Sequence, residues 1–230
     1  MESRFSQLAL ETLFPRFCVS CHKEGTLWCK PCDSVWHAGP MYAACPFCKN
    51  RGSDRTCLRC ASQTYLDGIS ACAPYGNPVV REALWVWKYS CDRKIEPVIE
   101  RWLRRGSARM NPPVAAYYVC SVPLHIGKKR SRGFDQARKV AEWAGNQYGL
   151  PVEDLLVRVK STEAQAKRGG STRQVGELDG IFQIREGVAV PEHVLLCDDV
   201  FTSGATMDAA ARALKEAGAK SVWGWVIARG

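Results

Sequence analysis

Apolar residues along this 230-residue chain fall into short runs separated by amphipathic stretches, the pattern of strands alternating with helices. Leu66 to Tyr75 reads as a strand, Pro78 to Tyr89 and Ile95 to Arg105 as helices, and Ala115 to Val122 as a buried strand. Phe134 to Tyr148 comes next as an amphipathic helix. Val194 to Cys197 and Val222 to Ala228 then read as two further buried strands around a helix from Ala205 to Ala217. Strand, helix and strand in this succession need crossover connections, so the pattern predicts an α/β fold on a parallel sheet. In open sheets of this kind ligands lie outside the carboxyl ends of the strands. Two adjacent acids, Asp198 and Asp199, fall where the strand Val194 to Cys197 is expected to stop.

The first sixty or so residues do not share this alternation. Met1 to Phe14 carries a short amphipathic pattern broken by Glu2, Arg4 and Glu11, which is neither a signal peptide nor a span and suits packing against the cysteine-rich segment after it. That segment holds four C-x2-C knuckles: Cys18 with Cys21, Cys29 with Cys32, Cys45 with Cys48, and Cys57 with Cys60. One such knuckle sets two thiolates on a tight turn, and two knuckles complete the tetrahedron that Zn²⁺ prefers. Disulfides are the competing reading, but no secretory signal precedes the segment, so reduced thiols and a cytoplasmic location are expected. The first knuckle recurs 27 residues later and the second 28 residues later, as though one four-cysteine ribbon were repeated, each copy with its own zinc. An interleaved pairing of first with third and second with fourth knuckle is also open. Cys72, Cys91, Cys120 and Cys197 are scattered among apolar residues and read as core.

Composition, 46% apolar and 24% charged, fits one medium domain with a small metal-stapled module, divided as 1–62 and 63–230. No stretch has transmembrane length. The formal net charge of +9 favours phosphate backbones as partners, single-stranded DNA first among them. Trp85, Trp87 and Tyr89 flank Lys88 and could stack bases, although helical spacing favours a core role.

The densest chemistry lies in Val194 to Thr206, VLLCDDVFTSGAT. A small-residue loop, Thr202-Ser203-Gly204-Ala205-Thr206, feeds the last long helix. A helix N-terminus offers unpaired N–H groups and a positive dipole end, and Gly204 lets that backbone approach a phosphate. Asp198 and Asp199 can accept from vicinal sugar hydroxyls or hold Mg²⁺ through oxygen. Capping of the helix by the two acids is the plainer alternative. A basic loop after the strand Ala115 to Val122 carries Lys128, Lys129, Arg130 and Arg132, placed to neutralise a diphosphate or simply solvated. Neither G-x-x-x-x-G-K-[ST] nor G-x-G-x-x-G occurs, which argues against a P-loop or dinucleotide site.

The run from Val194 to Thr206 resembles the thirteen-residue signature of type I phosphoribosyltransferases, which bind phosphoribosyl pyrophosphate (PRPP). With the four knuckles, Leu13-Phe14-Pro15, Lys88-Tyr89, Val122-Pro123-Leu124-His125, Arg132 to Ala137, Gln165, Arg173, and Gly180 with Phe182, the chain resembles the ComF family. That resemblance implies two structural zincs in a double ribbon joined to a phosphoribosyltransferase-type domain. It gives the ribose to Asp198 and Asp199, the 5-phosphate to Thr202 through Thr206, and implies a role in natural transformation beside single-stranded DNA and DNA-uptake proteins. Asp135 departs from the usual Asn, Ser121 from a common Pro, and Glu177 from a frequent Asn. A working transferase, with Asp198 and Asp199 holding ribose, Mg²⁺ and the basic loop taking the diphosphate, and a loop near Thr162 to Gln174 closing over the site, is the rival expectation. Use of PRPP as a regulatory ligand is the third.

Overall fold

The computed structural model describes residues 15–36, 41–89, 93–107, 112–113, 117–124, 134–159 and 180–230. The amphipathic pattern Met1 to Phe14, Cys91, the basic residues Lys128, Lys129, Arg130 and Arg132, and the segment Thr162 to Gln174 lie outside these residues.

Four parallel strands form the central sheet in the order β1 (Gly68–Pro74), β6 (Ser221–Arg229), β5 (His193–Phe201), β2 (Tyr118–Ser121). Helix α3 (Pro78–Tyr89) comes after β1, a 3₁₀ turn Arg93–Ile95 leads into α4 (Glu96–Ser107), α5 (Gln136–Tyr148) comes after β2, and α6 (Ala205–Glu216) joins β5 to β6. Alternation along the strands buries both faces, as a parallel sheet requires. Leu195, Cys197, Trp223, Trp225 and Ile227 share one core with Ala83 and Trp87 of α3, Trp102 of α4 and Val140 of α5. Val194, Leu196, Val222 and Val226 share the opposite core with Met207, Ala211 and Leu214 of α6. A short antiparallel pair, β3 (Leu156–Arg158) with β4 (Phe182–Ile184), adds Leu156 and Phe182 to that second core and is not expected from the pattern.

β5 is longer than expected and includes the acid pair. Its ladder with β6 continues through Asp198↔Val226 and Val200↔Ala228 to Phe201↔Arg229, because β6 runs on beside it and supplies partners for its backbone. The sheet edge at which α6 begins is therefore set by Phe201.

Two small modules grip the sheet domain from opposite cores. In the first, short helix α1 (Lys30–Val35) begins after Cys29, and Cys18, Val19 and Trp28 are buried in the core shared with α4. Trp36 stacks on Trp102 at 4.0 Å between ring centroids, and Trp28 meets the same ring edge-on at 5.1 Å. Asp33 accepts from Trp28 Nε1 and pairs with Arg101 and Arg105, and these groups together hold its carboxyl below the usual range, the indole contribution being largest. The second module, with short helix α2 (Leu58–Ala61), packs Phe47 against the other core and bonds Asp54 to Arg229. No helix among the described residues is long and apolar enough to cross a membrane.

Candidate functional site

The acid pair is held asymmetrically. Asp199 continues the alternation of Leu195 and Cys197 on β5, toward the α3 side, where Lys88 Nζ lies 2.8 Å from its Oδ2. Asp199 is buried and its own N–H donates to Asp198 Oδ1 at 2.8 Å. Burial, then the neighbouring Asp199 charge, push the Asp198 carboxyl up to about 8, against the pull of the Asp199 N–H and Lys88. A carboxyl in that condition ionises when a cation or hydroxyl donors arrive. Such a pair suits a sugar diol or a hard cation better than helix capping, and neither acid caps α6: Gly204 is its N-cap and no side chain caps it.

Asp135 stands at the N-cap of α5, where its carboxylate accepts from the Arg138 N–H at 3.1 Å. Asn would cap equally well. The charge that Asp adds raises the Asp198 pKa a little further, so the substitution deepens the site's demand for a cation.

The turn into α6 is shaped by Gly204, which is buried with φ 83° and ψ −11°. A Cβ there would sit 2.4 Å from Cζ of Phe201 and 3.1 Å from Cε1 of Phe47, so only glycine fits. Thr202 and Ser203 are exposed, and Ala205 and Thr206 are half-buried. Ser203 Oγ reaches the Ala205 N–H only at 3.5 Å, leaving the first-turn N–H groups with no close side-chain acceptor among the described residues. Asp208, the one acid of that turn, is engaged elsewhere, accepting from the N–H groups of Tyr65 and Leu66 at 2.7 and 3.0 Å. An uncapped helix end beside a glycine with no room for a side chain leaves its first N–H donors open, the arrangement that anions favour.

The fold thus brings Asp198, Asp199 and Thr202 through Thr206 to one edge of the sheet, with Lys88 added from α3. The Val122 N–H donates to the Cys197 carbonyl at 2.9 Å, so the end of β2 lies beside the acid pair. Lys88 belongs to the Lys88-Tyr89 motif, but sequence reasoning gives it no role, because its partner lies on a distant strand. The three aromatics around it separate: Trp87 is 1% exposed in the core, whereas Trp85 and Tyr89 are each 56% exposed, their rings 6.0 Å apart. A cavity of about 660 Å³ opens far from this edge, near Thr64 and Ser221, but its lysines are already paired, Lys215 with Asp67 and Lys220 with Glu192.

The eight knuckle cysteines form two clusters. Cys18, Cys21, Cys29 and Cys32 make one and Cys45, Cys48, Cys57 and Cys60 the other, with the sulfurs of each within 4.8 Å of one another. Sequential pairing is therefore the arrangement, and the interleaved alternative is excluded. Cys21 lies 3.6 Å from Cys29 and Cys48 lies 3.6 Å from Cys57, near the ~3.8 Å edge of a tetrahedron with ~2.3 Å Zn–S bonds. Burial would raise the thiol of Cys18, yet backbone N–H groups of Cys21, Cys29 and Ser20 outweigh it and bring it down to about 6. The same balance, with Cys57, Cys48 and Phe47, brings Cys45 to about 6. Both donor sets fit zinc. Cys72, Cys120 and Cys197 are buried, and burial raises the thiols of Cys120 and Cys197, as inert core cysteines require.

Residues 150–229 match the family model for the phosphoribosyl transferase domain. The chain is 28% identical over 198 residues to the competence protein ComFC of Streptococcus pneumoniae (strain ATCC BAA-255 / R6), covering 84% of each chain. It is 29% identical over 154 residues to the competence protein ComFC of Bacillus subtilis (strain 168), covering 66% of this chain and 61% of that one.

Proposed function

We propose that the chain is a ComF-type protein, as its likeness to the two competence proteins and its paired four-cysteine clusters support, and that it binds PRPP and handles single-stranded DNA during natural transformation. The observation that carries the ligand half is the meeting of a cation-hungry acid pair with an uncapped helix N-terminus whose glycine admits no side chain. In this reading Asp198 and Asp199 accept from the ribose hydroxyls, and Lys88 aims Asp199 through their 2.8 Å ion pair. The N–H groups at Ala205 and Thr206, with the hydroxyls of Thr202, Ser203 and Thr206, receive the 5-phosphate. Lys128, Lys129, Arg130 and Arg132 take the diphosphate charge. Magnesium, bound with PRPP, would neutralise the diphosphate and the acids together. Residues 1–62 serve as the zinc module and 63–230 as the ligand domain.

The DNA half is supported by the net charge of +9 and by Trp85 and Tyr89, exposed on the helix that also carries Lys88. Calorimetry with magnesium and PRPP on zinc-loaded protein tests the ligand: saturable heat is expected, and its absence rejects the site. Fluorescence anisotropy with a labelled oligonucleotide tests the DNA, and no binding at low salt removes that half. The match of residues 150–229 to a transferase domain favours one further reading, transfer of phosphoribose to a nitrogen acceptor. Pyrophosphate release from PRPP in the presence of bases or amines would establish it.

A further inference from the structure

Phe47 lies inside the third knuckle, the Cys45 to Cys48 turn of the second ribbon, yet its ring reaches the phosphate turn of the other module. It meets Phe201, the last residue of β5, at 6.1 Å and 69° between rings. It also lies 3.1 Å from where a Gly204 Cβ would stand, so Phe47 and Phe201 together form the wall against which the turn folds. The same knuckle fixes Phe201 a second time: Lys49 stands 6.0 Å over its ring and donates to the Gly230 carbonyl, while the Gly230 N–H donates to the Phe201 carbonyl at 2.8 Å. Lys49 holds φ 61°, as His22 holds φ 58° at the equivalent position of the first ribbon, so its backbone is set by the knuckle turn and its side chain is thereby aimed at Phe201.

An aromatic is not needed to build such a ribbon. The equivalent position of the first knuckle, Cys18-Val19-Ser20-Cys21, carries Ser20, and that cluster closes its four sulfurs within the same 4.8 Å. We infer that Phe47 is a positioning residue for the phosphate turn, so that the second zinc ribbon preorganises the ligand site of the other module. This rests on the sugar-phosphate reading of Thr202 to Thr206.

The test compares wild-type protein with Phe47→Ser, which copies the first knuckle, and Phe47→Leu, which keeps apolar bulk. Three quantities are read: zinc per chain, amide hydrogen exchange at Thr202 to Thr206, and calorimetric affinity for magnesium with PRPP. Phe47→Ser should keep both zincs, exchange faster at the turn without ligand, and bind about tenfold more weakly, since the ligand must then order the turn itself. Phe47→Leu should restore most of both. Wild-type exchange and affinity in Phe47→Ser would overturn the inference while leaving the ligand site standing. Loss of zinc from Phe47→Ser would overturn it too, by showing that the ring builds the ribbon. Failure of wild-type protein to bind PRPP would reject the ligand site, and this inference with it.

Discussion

Replacing Gly204 by alanine adds one methyl group where two aromatic rings leave no room for it. The residue holds φ 83°, and an L-residue in the left-handed region costs roughly 1–2 kcal/mol. The new Cβ would also stand 2.4 Å from Cζ and 2.9 Å from Cε2 of Phe201, which is 2% exposed and backed by Phe47. Neither ring can retreat without disturbing the other, and overpacking of this kind costs about 1–3 kcal/mol. Gly204→Ala should therefore lose about 2–5 kcal/mol, a large part of the ~5–15 kcal/mol that holds a domain together. Urea denaturation monitored by tryptophan fluorescence reads this as a midpoint lowered by about 1–2 M. Gly76 is the control. It has no positive φ and nothing within 4 Å of its would-be Cβ, so Gly76→Ala should be neutral or stabilising by about 0.4–1 kcal/mol. If Gly204→Ala stayed within about 0.5 kcal/mol of wild type, the tight turn against two rings would be wrong.

Asp198 titrates near 8 in the folded chain and near 3.8 when unfolded, so the folded state holds its proton more tightly. Its contribution to stability is full below about pH 4 and is lost as pH rises toward 8. On the proposed reading magnesium with PRPP takes the ionised form, so affinity should climb with pH up to about 8 and binding at pH 7 should release protons, seen as heat that depends on the buffer's ionisation enthalpy. Buffer-independent heat would reject this. Lys88→Met strands a buried carboxylate and should cost up to about 3 kcal/mol in urea denaturation, less than a fully dry pair because both ends touch solvent. Most of the loss should return in Lys88→Met with Asp199→Asn, and a double variant no better than the single one would show that the pair is not the cause. Replacing two cysteines of one cluster, Cys21→Ser with Cys29→Ser, should leave one zinc per chain by atomic absorption. Loss of both would contradict two self-contained centres.

Properties that a local pattern can encode are legible in the sequence, and those that depend on the approach of distant segments are not. Pro78 to Tyr89 is a helix with the bounds its periodicity predicts, and the knuckle spacing matches a sequential pairing, because both are short-range properties. The end of β5 escapes because it is set by β6: Phe201 stays in the ladder only because Arg229 lies opposite. The β3–β4 pair joins two three-residue segments from either side of the long stretch 160–179, too short for alternation to show. Trp85 and Trp87 share one periodic pattern, yet two residues on a helix point to different sides, and only the sheet decides which side is core. The candidate site divides in the same way. Asp198, Asp199 and the turn through Thr206 are contiguous and carry their own chemical pattern, but Lys88 and Phe47 acquire meaning only when α3 and the second ribbon close on β5. A turn whose N–H donors are local and whose walls are not keeps a recognisable motif while its shape is set from outside that motif, by the Cys45 to Cys48 turn that holds Phe47.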